Sequence, residues 1–356
     1  MLFFKLSAFY FFYFAGVGVY VIFLPKVLND IGYTASQIGI LLALAPLMRF
    51  LTPFLFLKHL KLDQNIFKSI LVLSLISSFL FYYTINDFYL FLFNNAILGV
   101  CLSLLLPYIE TIALKELKNK YGKSRLFGSI GFMIVGLILA KYLTQTSVAL
   151  DYYFITTLLT AISAYSLLRY DDVLHIQNPD DEKFSLLKYY PFWISLFLVQ
   201  VSFGGFYNFF TIYESSYGMS LETISYLWAF GVICEIAMLY YQAPLLQHNL
   251  ITIIKISIAI TIVRWLLLYL FPSSVTISFI SQSIHAFSFG LYHTAVVLYL
   301  YKIYANKKLA QQFMLGIAYG LGGFVGAVLS GMVYGEYLFL ISAFISALAL
   351  LAIINI

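Results

Sequence analysis

Long apolar stretches separated by short polar links follow one another along the whole chain. Each stretch is about 20 residues long, the length of an α-helix that crosses about 30 Å of hydrocarbon. Turn formers such as Asn86-Asp87 and Pro272-Ser273-Ser274 close most of the links. The pattern predicts twelve transmembrane helices, near residues 3–25, 35–57, 66–84, 88–112, 125–143, 149–168, 188–211, 222–243, 250–270, 275–300, 309–332 and 335–355.

One polar link is much longer than the others and divides the twelve predicted spans into two sets of six. This link covers residues 169–187 and is rich in acidic residues and proline. The sequence therefore predicts an N-terminal six-helix half over residues 1–168, a cytoplasmic linker, and a C-terminal six-helix half over residues 188–356. A division into six and six spans is typical of membrane proteins built from two parallel repeats.

Composition supports an integral membrane protein. Hydrophobic residues make up 62% of the chain and charged residues only 10%, whereas soluble domains carry about 25% charged residues. The mean hydropathy is +0.94. Cys101 and Cys234 both lie in apolar stretches, so we expect packing residues and no disulfide framework. The first stretch is aromatic and lacks a small-residue cleavage site, which favours a retained span over a signal peptide.

The basic residues predict the orientation of the spans. With the N-terminus inside, sixteen Lys and Arg side chains fall in inner segments, against only Lys26 and Lys141 in outer segments. This asymmetry places both termini in the cytoplasm under the positive-inside rule. The net charge of +5 is no nucleic-acid signature, because these side chains lie in links between spans.

Small residues and prolines mark special positions within the spans. Span eleven repeats glycine at four-residue spacing, at Gly316/Gly320 and Gly322/Gly326. Such spacing lets a neighbouring helix approach closely, either in ordinary packing or as a sliding surface between halves. Prolines in spans two, four and eight predict kinks or helix ends. They are Pro46, Pro53, Pro107 and Pro244.

Five ionisable residues lie within or at the ends of spans on both halves: Arg49, Glu110, Glu235, Arg264 and His285. A charge at mid-membrane costs about 2.5–3.5 kcal/mol on insertion scales, so such groups face a cavity or a partner. The pattern predicts a pore lining or a central binding site. The alternative is a set of buried structural ion pairs, for instance between Glu235 and Arg264.

The stretch from Pro107 to Phe132 contains "PYIE" followed by "YGKSRLFGSIGF". This stretch resembles the helix-four to helix-five region of the lactose permease group of the major facilitator superfamily. The phenylpropionate permeases of the same branch share its glycine-arginine-aromatic-glycine spacing. The resemblance implies the all-α major facilitator fold of twelve transmembrane helices, and transport by proton symport.

The resemblance also implies substrate contacts in this stretch. Glu110 and Arg125 match the glutamate and arginine with which lactose permease holds its sugar, and a guanidinium suits two adjacent hydroxyls or one carboxylate. Phe132 stands where that permease has a stacking tryptophan, and Ser129 where it has a small cysteine. The alternative reading of Glu110 and Arg125 is a salt bridge that locks spans four and five.

Spans eight to ten carry the rest of the resemblance, in "LWAFGVICEIAMLY", "IVRWLLLY" and "QSIHAFSFGLYHTA". Glu235 and Arg264 are placed as in permeases of this branch, and His285 matches a substrate-linked histidine. Ser288 stands where lactose permease has its proton-carrying glutamate, and a serine cannot titrate at physiological pH. Glu235 and His285 remain as candidate proton carriers, with Arg264 as charge partner. Span eleven also lacks the lysine of lactose permease, which brings the chain closer to the phenylpropionate permeases.

We therefore expect a secondary transporter, with Glu110, Arg125, Ser129, Phe132, Glu235, His285 and Arg49 binding the substrate. The substrate class stays open between an aromatic carboxylate and a sugar or nucleoside. Alternatives are a sensor or lipid-moving protein with the same fold, or a membrane-embedded acyltransferase using His59 and Asp63. No nucleotide-binding loop occurs, which disfavours an ATP-driven pump.

The interpretation as a secondary transporter also predicts where the protein is located and what it binds. We expect a monomer in the bacterial inner membrane that takes a small molecule and protons, binds no nucleic acid, metal or cofactor, and has no catalytic residue.

Glu214 and Glu222 flank an outer link and are expected to be solvated. His293 is expected to lie about 80° around the helix from His285, so it need not face the same cavity. Asp63 is the one remnant of a gating motif between spans two and three.

Overall fold

The protein is almost entirely helical in a computed structural model that describes residues 1–58, 62–171 and 185–356. Helices suit an apolar solvent because they satisfy every backbone N–H and C=O within the segment. The described residues form α1 (Leu2–Asp30), α2 (Ala35–Lys58), α3 (Gln64–Thr84), α4 (Phe88–Leu117), α5 (Tyr121–Tyr142), α6 (Thr146–Tyr165), α7 (Leu187–Ser216), α8 (Leu221–Tyr241), α9 (Leu250–Leu270), α10 (Val275–Ile303), α11 (Leu309–Met332) and α12 (Leu338–Ile353).

Within the described residues, eleven of these helices are long and apolar enough to cross a membrane, and α12 is an apolar helix of 16 residues. The predicted all-α architecture with twelve spans is confirmed. Three helices contain a π-helical turn, at Val19–Phe23, Ala286–Leu291 and Leu315–Gly322, and α7 is interrupted at Phe203.

The link between α4 and α5 is much shorter than predicted. Span four was expected to end near residue 112 and span five to begin at residue 125, but α4 continues to Leu117 and α5 begins at Tyr121. The added turns contain leucine, lysine and glutamate, which are good helix formers even outside the hydrocarbon. The chain turns at Lys118, whose φ of 46° lies in the left-handed region. Pro107 lies inside α4 and does not end it.

Polar side chains at the links fix where several helices begin. An N-cap side chain accepts hydrogen bonds from free backbone N–H groups of the first turn. Asp63 accepts from Asn65 and Ile66 at the start of α3, so the candidate gating remnant is a helix cap here. Further N-caps of this kind precede α4, α8, α9 and α10, at Asp87, Ser220, Asn249 and Ser274.

The chain divides into two compact units, Met1–Gln177 and Asn178–Ile356. The division falls inside the predicted linker of residues 169–187, of which 172–184 lie outside the described residues. The linker and the exact limits of the two halves stay predictions.

The two units pair their helices in the same way. In the first unit, α1 packs on α5 and α6, α4 packs on α2 and α3, and α3 also packs on α6. In the second unit, α7 packs on α11 and α12, α10 packs on α8 and α9, and α9 also packs on α12. Each pair in the first unit therefore has its counterpart six helices later, as expected of parallel repeats.

Glycines bring one equivalent helix pair of each unit into backbone contact. A Cβ at Gly131 of α5 would lie 2.1 Å from the carbonyl oxygen of Phe11 in α1. A Cβ at Gly326 of α11 would lie 2.7 Å from the carbonyl oxygen of Val201 in α7, and one at Gly322 3.0 Å from that of Phe197. The predicted close approach on span eleven is confirmed for these two glycines. Their partner is a helix of the same unit, so they serve ordinary packing.

Many large apolar side chains remain exposed on the outer faces of the helices. Examples are Tyr89, Phe93, Phe344 and Leu351, each at least 60% exposed. A water-soluble monomer rarely presents so much apolar surface, whereas a lipid bilayer covers it.

Candidate functional site

In the first unit, Glu110 and Arg125 face each other across the tight link after α4. Glu110 lies near the end of α4 and Arg125 near the start of α5. The Arg125 Nε donates to Glu110 Oε1 over 3.2 Å. Tyr121 lies one turn before Arg125, and its hydroxyl donates to the same oxygen over 3.2 Å. The side chains of Arg125 and Glu110 are 33% and 28% exposed. The salt bridge given above as the alternative interpretation of these two residues is therefore formed, and both side chains remain partly exposed; their contact with a substrate stays a prediction.

Aromatic rings of α1 cover the guanidinium of Arg125. Its Cζ lies 4.1 Å from the ring centre of Phe14 and 5.3 Å from that of Tyr10. These are cation–π distances. The close packing of α1 on α5 at Gly128 and Gly131 brings the rings to this position. Neither ring was predicted from the sequence as part of the site, although their four-residue spacing places them on one face of a helix.

The other residues predicted for this site lie further along α5 or on α2. Ser129 and Phe132 are half-buried, one and two turns after Arg125, and Phe132 packs near Gly18 of α1. Arg49 of α2 is exposed, and within the described residues it makes no hydrogen bond or ion pair.

In the second unit, Arg264 of α9 is completely buried, and its hydrogen bonds go to α10. Its Nε donates to the backbone oxygen of Ser281 over 3.0 Å, and its Nη1 to His285 Nδ1 over 2.9 Å. Longer contacts reach Gln282 Oε1 at 3.4 Å and Ser288 Oγ at 3.5 Å. None of these partners in residues 185–356 is a carboxylate, so a direct ion pair between Glu235 and Arg264 is not formed.

Aromatic rings also cover the guanidinium of Arg264. Its Cζ lies 4.2 Å from the ring centre of Phe206 in α7 and 4.5 Å from that of Trp265. Cation–π contacts stabilise a cation in a site from which water is excluded. Both units therefore hold an arginine against aromatic rings, one accessible and one buried.

His285 lies between Arg264 and Glu235. Arginine can only donate, so His285 Nδ1 accepts, and the proton of the neutral ring lies on Nε2. Nε2 is 3.8 Å from Glu235 Oε2 of α8, which is longer than a hydrogen bond. The Glu235 side chain is 26% exposed and that of His285 only 8%. His285 is therefore hydrogen-bonded to Arg264 and lies close to the carboxyl group of Glu235.

His285 and His293 are linked by an aromatic ring between them. His285 stacks on Phe289 with ring centres 5.3 Å apart, and Phe289 stacks on His293 at 6.1 Å. Side chains four residues apart are neighbours on a helix, and a π-helical turn at Ala286–Leu291 lies between the two histidines. His293 Nδ1 also lies 2.6 Å from the Tyr319 hydroxyl of α11. Whether His293 faces the same cavity as His285 stays a prediction.

Glu214 also departs from its predicted environment. Glu222 is exposed as expected, but Glu214 is completely buried in α7. The sequence placed Glu214 near a link, whereas α7 continues to Ser216 and packs against neighbouring helices. Among the described residues, no group of three His, Cys, Asp or Glu side chains is arranged to hold a metal ion.

Known proteins share the sequence pattern and the arrangement of helices of this chain. The family model described as MFS_1 like family matches residues 3–345. The "Probable 3-phenylpropionic acid transporter" of Escherichia coli strain K12 is 25% identical over 349 residues, which cover 92% of this chain and 90% of that protein. The "Uncharacterized transporter YwbF" of Bacillus subtilis strain 168 is 25% identical over 341 residues, covering 89% and 82%.

Solved structures share the fold. The crystal structure of the nucleoside transporter NupG superposes with a TM-score of 0.81 at 17% identity, covering 99% of this chain and 98% of that one. An auto-inhibited peptide transporter of the POT family reaches 0.73 at 10% identity, covering 99% and 94%. These relatives and neighbours are all transporters.

Proposed function

The chain belongs to the MFS_1 like family, and from this premise we propose that it is a proton-coupled symporter of small aromatic carboxylates that works by alternating access. Family membership makes the chain a secondary transporter of the major facilitator type, as the resemblance in its sequence implies. The substrate, the coupling ion and the residues that bind them are the proposal.

The observation that supports an anionic substrate is the excess of positive charge in the first unit. Arg125 pairs with Glu110, whereas Arg49 of α2 makes no ion pair among the described residues, which leaves one positive charge of the three uncompensated. A substrate carboxylate would supply the missing negative charge. Arg125 has only its Nε engaged with Glu110, so its terminal nitrogens can receive a carboxylate with the paired geometry that arginine provides.

Aromatic side chains support an aromatic substrate. Phe14 and Tyr10 already lie on the guanidinium of Arg125, and half-buried Phe132 lies two turns further along α5. Ring faces of this kind stack on a phenyl group and contribute about 0.5–1.5 kcal/mol per ring pair beyond burial. The name of the Escherichia coli relative, a phenylpropionic acid transporter, agrees with this substrate class.

We propose that Glu235 in the second unit binds and releases the proton that is coupled to transport. His285 and Arg264 influence whether its carboxyl group is charged. The Glu235 carboxylate is partly exposed and lies 3.8 Å from His285. When Glu235 is protonated it is neutral, so the transporter can reorient without moving an uncompensated charge through a region of low dielectric constant. A nearby arginine would favour the ionised form and release of the proton.

The same proposal includes a multi-pass location in a bacterial inner membrane with both termini in the cytoplasm. It rests on the distribution of basic residues between the links. A monomer is sufficient for this function, because one chain contains both charged clusters.

The substrate class is tested by thermal stability of the purified protein with matched ligands. We expect 3-phenylpropionate to raise the melting temperature, because binding stabilises the native state by RT ln(1 + [L]/Kd). The uncharged 3-phenylpropanol and the aliphatic butyrate should raise it far less at equal concentration. Stabilisation by uridine or lactose, without any by aromatic acids, would contradict the proposal and favour a nucleoside or sugar.

The role of Arg125 is tested with the same ligand in Arg125→Lys. Lysine keeps the charge but cannot form two parallel hydrogen bonds. The lost charge-assisted bond is worth about 1.5–3 kcal/mol, so the Kd should rise about 10- to 100-fold while expression and membrane insertion stay normal. Arg169→Lys is the matched control, because Arg169 is exposed beyond the end of α6. Unchanged affinity and uptake in Arg125→Lys would leave Arg125 as a structural anchor.

A further inference from the structure

Glu214 is a carboxylic acid enclosed in the second unit with a single hydrogen-bond partner. Its exposed fraction is 0%, and it lies near the C-terminal end of α7. Oε1 accepts from the Ser278 hydroxyl of α10 over 3.1 Å. Oε2 is buried and has no hydrogen-bond partner. Ser278 is itself completely buried. A carboxylate in this position would lack most of the donors that water gives it.

Positive charge is also missing around Glu214. Within residues 185–356, no lysine, arginine or histidine lies within ion-pair distance of its carboxyl group. The titratable group beside it is Tyr213, the preceding residue of α7, and the groups next to Tyr213 are again tyrosines, Tyr217 just after α7 and Tyr334 after α11. These are neutral at physiological pH. Buried charges in proteins are paired, and a carboxyl group that is not paired takes up a proton.

We propose that Glu214 is a proton-binding site, separate from Glu235, that holds a proton at neutral pH while the ends of α7 and α10 are in contact. Protonation forms one O–H bond on the carboxyl group, with the proton taken from water, and leaves Ser278 unchanged. When these helix ends part and water reaches the group, the O–H bond breaks and the proton returns to water. The contact between Glu214 and Ser278 would thereby tie proton binding to the separation of α7 from α10.

A proton is the ligand that fits this site best. A metal cation needs several oxygen ligands around it, whereas Oε1 has one hydroxyl partner and Oε2 has none. The inference requires only that the chain is a membrane transporter. It does not depend on the proposed substrate or on the role of Glu235.

Infrared spectroscopy of the purified, reconstituted protein tests the proposal without any transport measurement. A protonated carboxyl group has a C=O band distinct from that of a carboxylate, and the band shifts in D2O. At pH 7 we expect Glu214→Gln to lose one such band relative to the wild type. Glu222→Gln, which changes an exposed glutamate at the start of α8, should leave the band intact. Because neither substrate nor proton gradient is present, the result stands even if the proposed function fails.

The contrary outcome is equally visible. If Glu214→Gln keeps the whole carboxylic acid band and loses intensity in the carboxylate region, Glu214 is ionised and the proposal is overturned. Should that variant fail to fold, Ser278→Ala serves instead. Loss of its hydrogen bond should move the Glu214 band to higher frequency, and a spectrum identical to the wild type would also overturn the proposal.

Discussion

At the residue scale, Arg264 keeps its charge without a carboxylate partner among the described residues. Its hydrogen bonds go to a backbone carbonyl, an imidazole, an amide and a hydroxyl. The rings of Phe206 and Trp265 supply further stabilisation, worth about 2 kcal/mol at a desolvated site. Ser288, at the position of the glutamate in lactose permease, contributes only a weak acceptor. Of these partners His285 is the one that also lies beside a carboxyl group, since its Nε2 is 3.8 Å from Glu235 Oε2.

We expect Glu235→Gln to keep the exchange of substrate across the membrane and to lose the accumulation of substrate against its gradient. Glutamine resembles the neutral acid, so the loaded carrier should still reorient and exchange substrate across the membrane at close to the wild-type rate. Accumulation driven by a proton gradient should be lost, because glutamine cannot release a proton. Both are measured with labelled substrate in proteoliposomes, with and without an imposed pH gradient.

His285→Gln is the matched variant for that experiment. It keeps a hydrogen-bonding amide beside Arg264 and removes the titratable ring. If Glu235→Gln accumulates substrate like the wild type and His285→Gln does not, the histidine carries the proton and the two roles are reversed.

At the element scale, the contact between α1 and α5 places Phe14 and Tyr10 on Arg125, and Gly131 makes that contact possible. Gly131→Ala would bring a methyl group to 2.1 Å from the Phe11 carbonyl oxygen. The Phe11 backbone cannot move aside as a flexible side chain can. Overpacking of this kind lowers the free energy of unfolding by about 1–3 kcal/mol or more. We expect a lower melting temperature and weaker substrate binding, measured on the purified protein.

Gly122→Ala provides the control on the same helix. A Cβ at Gly122 meets nothing within 4 Å, and alanine favours helix by about 0.5–1 kcal/mol over glycine. This variant should be as stable as the wild type or slightly more stable. Equal stability of the two variants would mean that α1 and α5 do not need their close approach.

The π-helical turn in α10 is a second element with consequences for the site. It lies between His285 and His293, whose stack with Phe289 extends the polar cluster of the second unit toward Tyr319 of α11. Single π-helical turns inside α-helices are frequent at functional sites.

At the scale of the whole molecule, the repeated helix pairings and the asymmetry of basic residues together predict which end of each helix faces the cytoplasm. α10 offers the sharpest test, because exposed Ser273 and Ala305 flank its two ends. In a background without Cys101 and Cys234, Ser273→Cys should react with a membrane-impermeant maleimide in intact cells. Ala305→Cys should react only after permeabilisation. The opposite pattern would reverse the proposed orientation.

Much of this protein is determined by local sequence. The number of helices and their approximate limits follow from apolar length, because a backbone in hydrocarbon must satisfy its own hydrogen bonds. The pairing of Glu110 with Arg125 was also predictable. A short link holds the end of one span beside the start of the next, so two charges that flank it must lie on the same side of the membrane.

Only the tertiary structure decided which side of each helix faces a partner. Transmembrane helices are apolar on almost every side, so periodicity does not identify the buried face as it does in soluble proteins. For this reason the sequence did not predict that Arg264 contacts His285 instead of Glu235, that Arg49 is exposed, or that Glu214 is enclosed against Ser278. Each of these depends on the packing of helices that are distant in the sequence, and that packing is set by small residues and local changes in helical pitch.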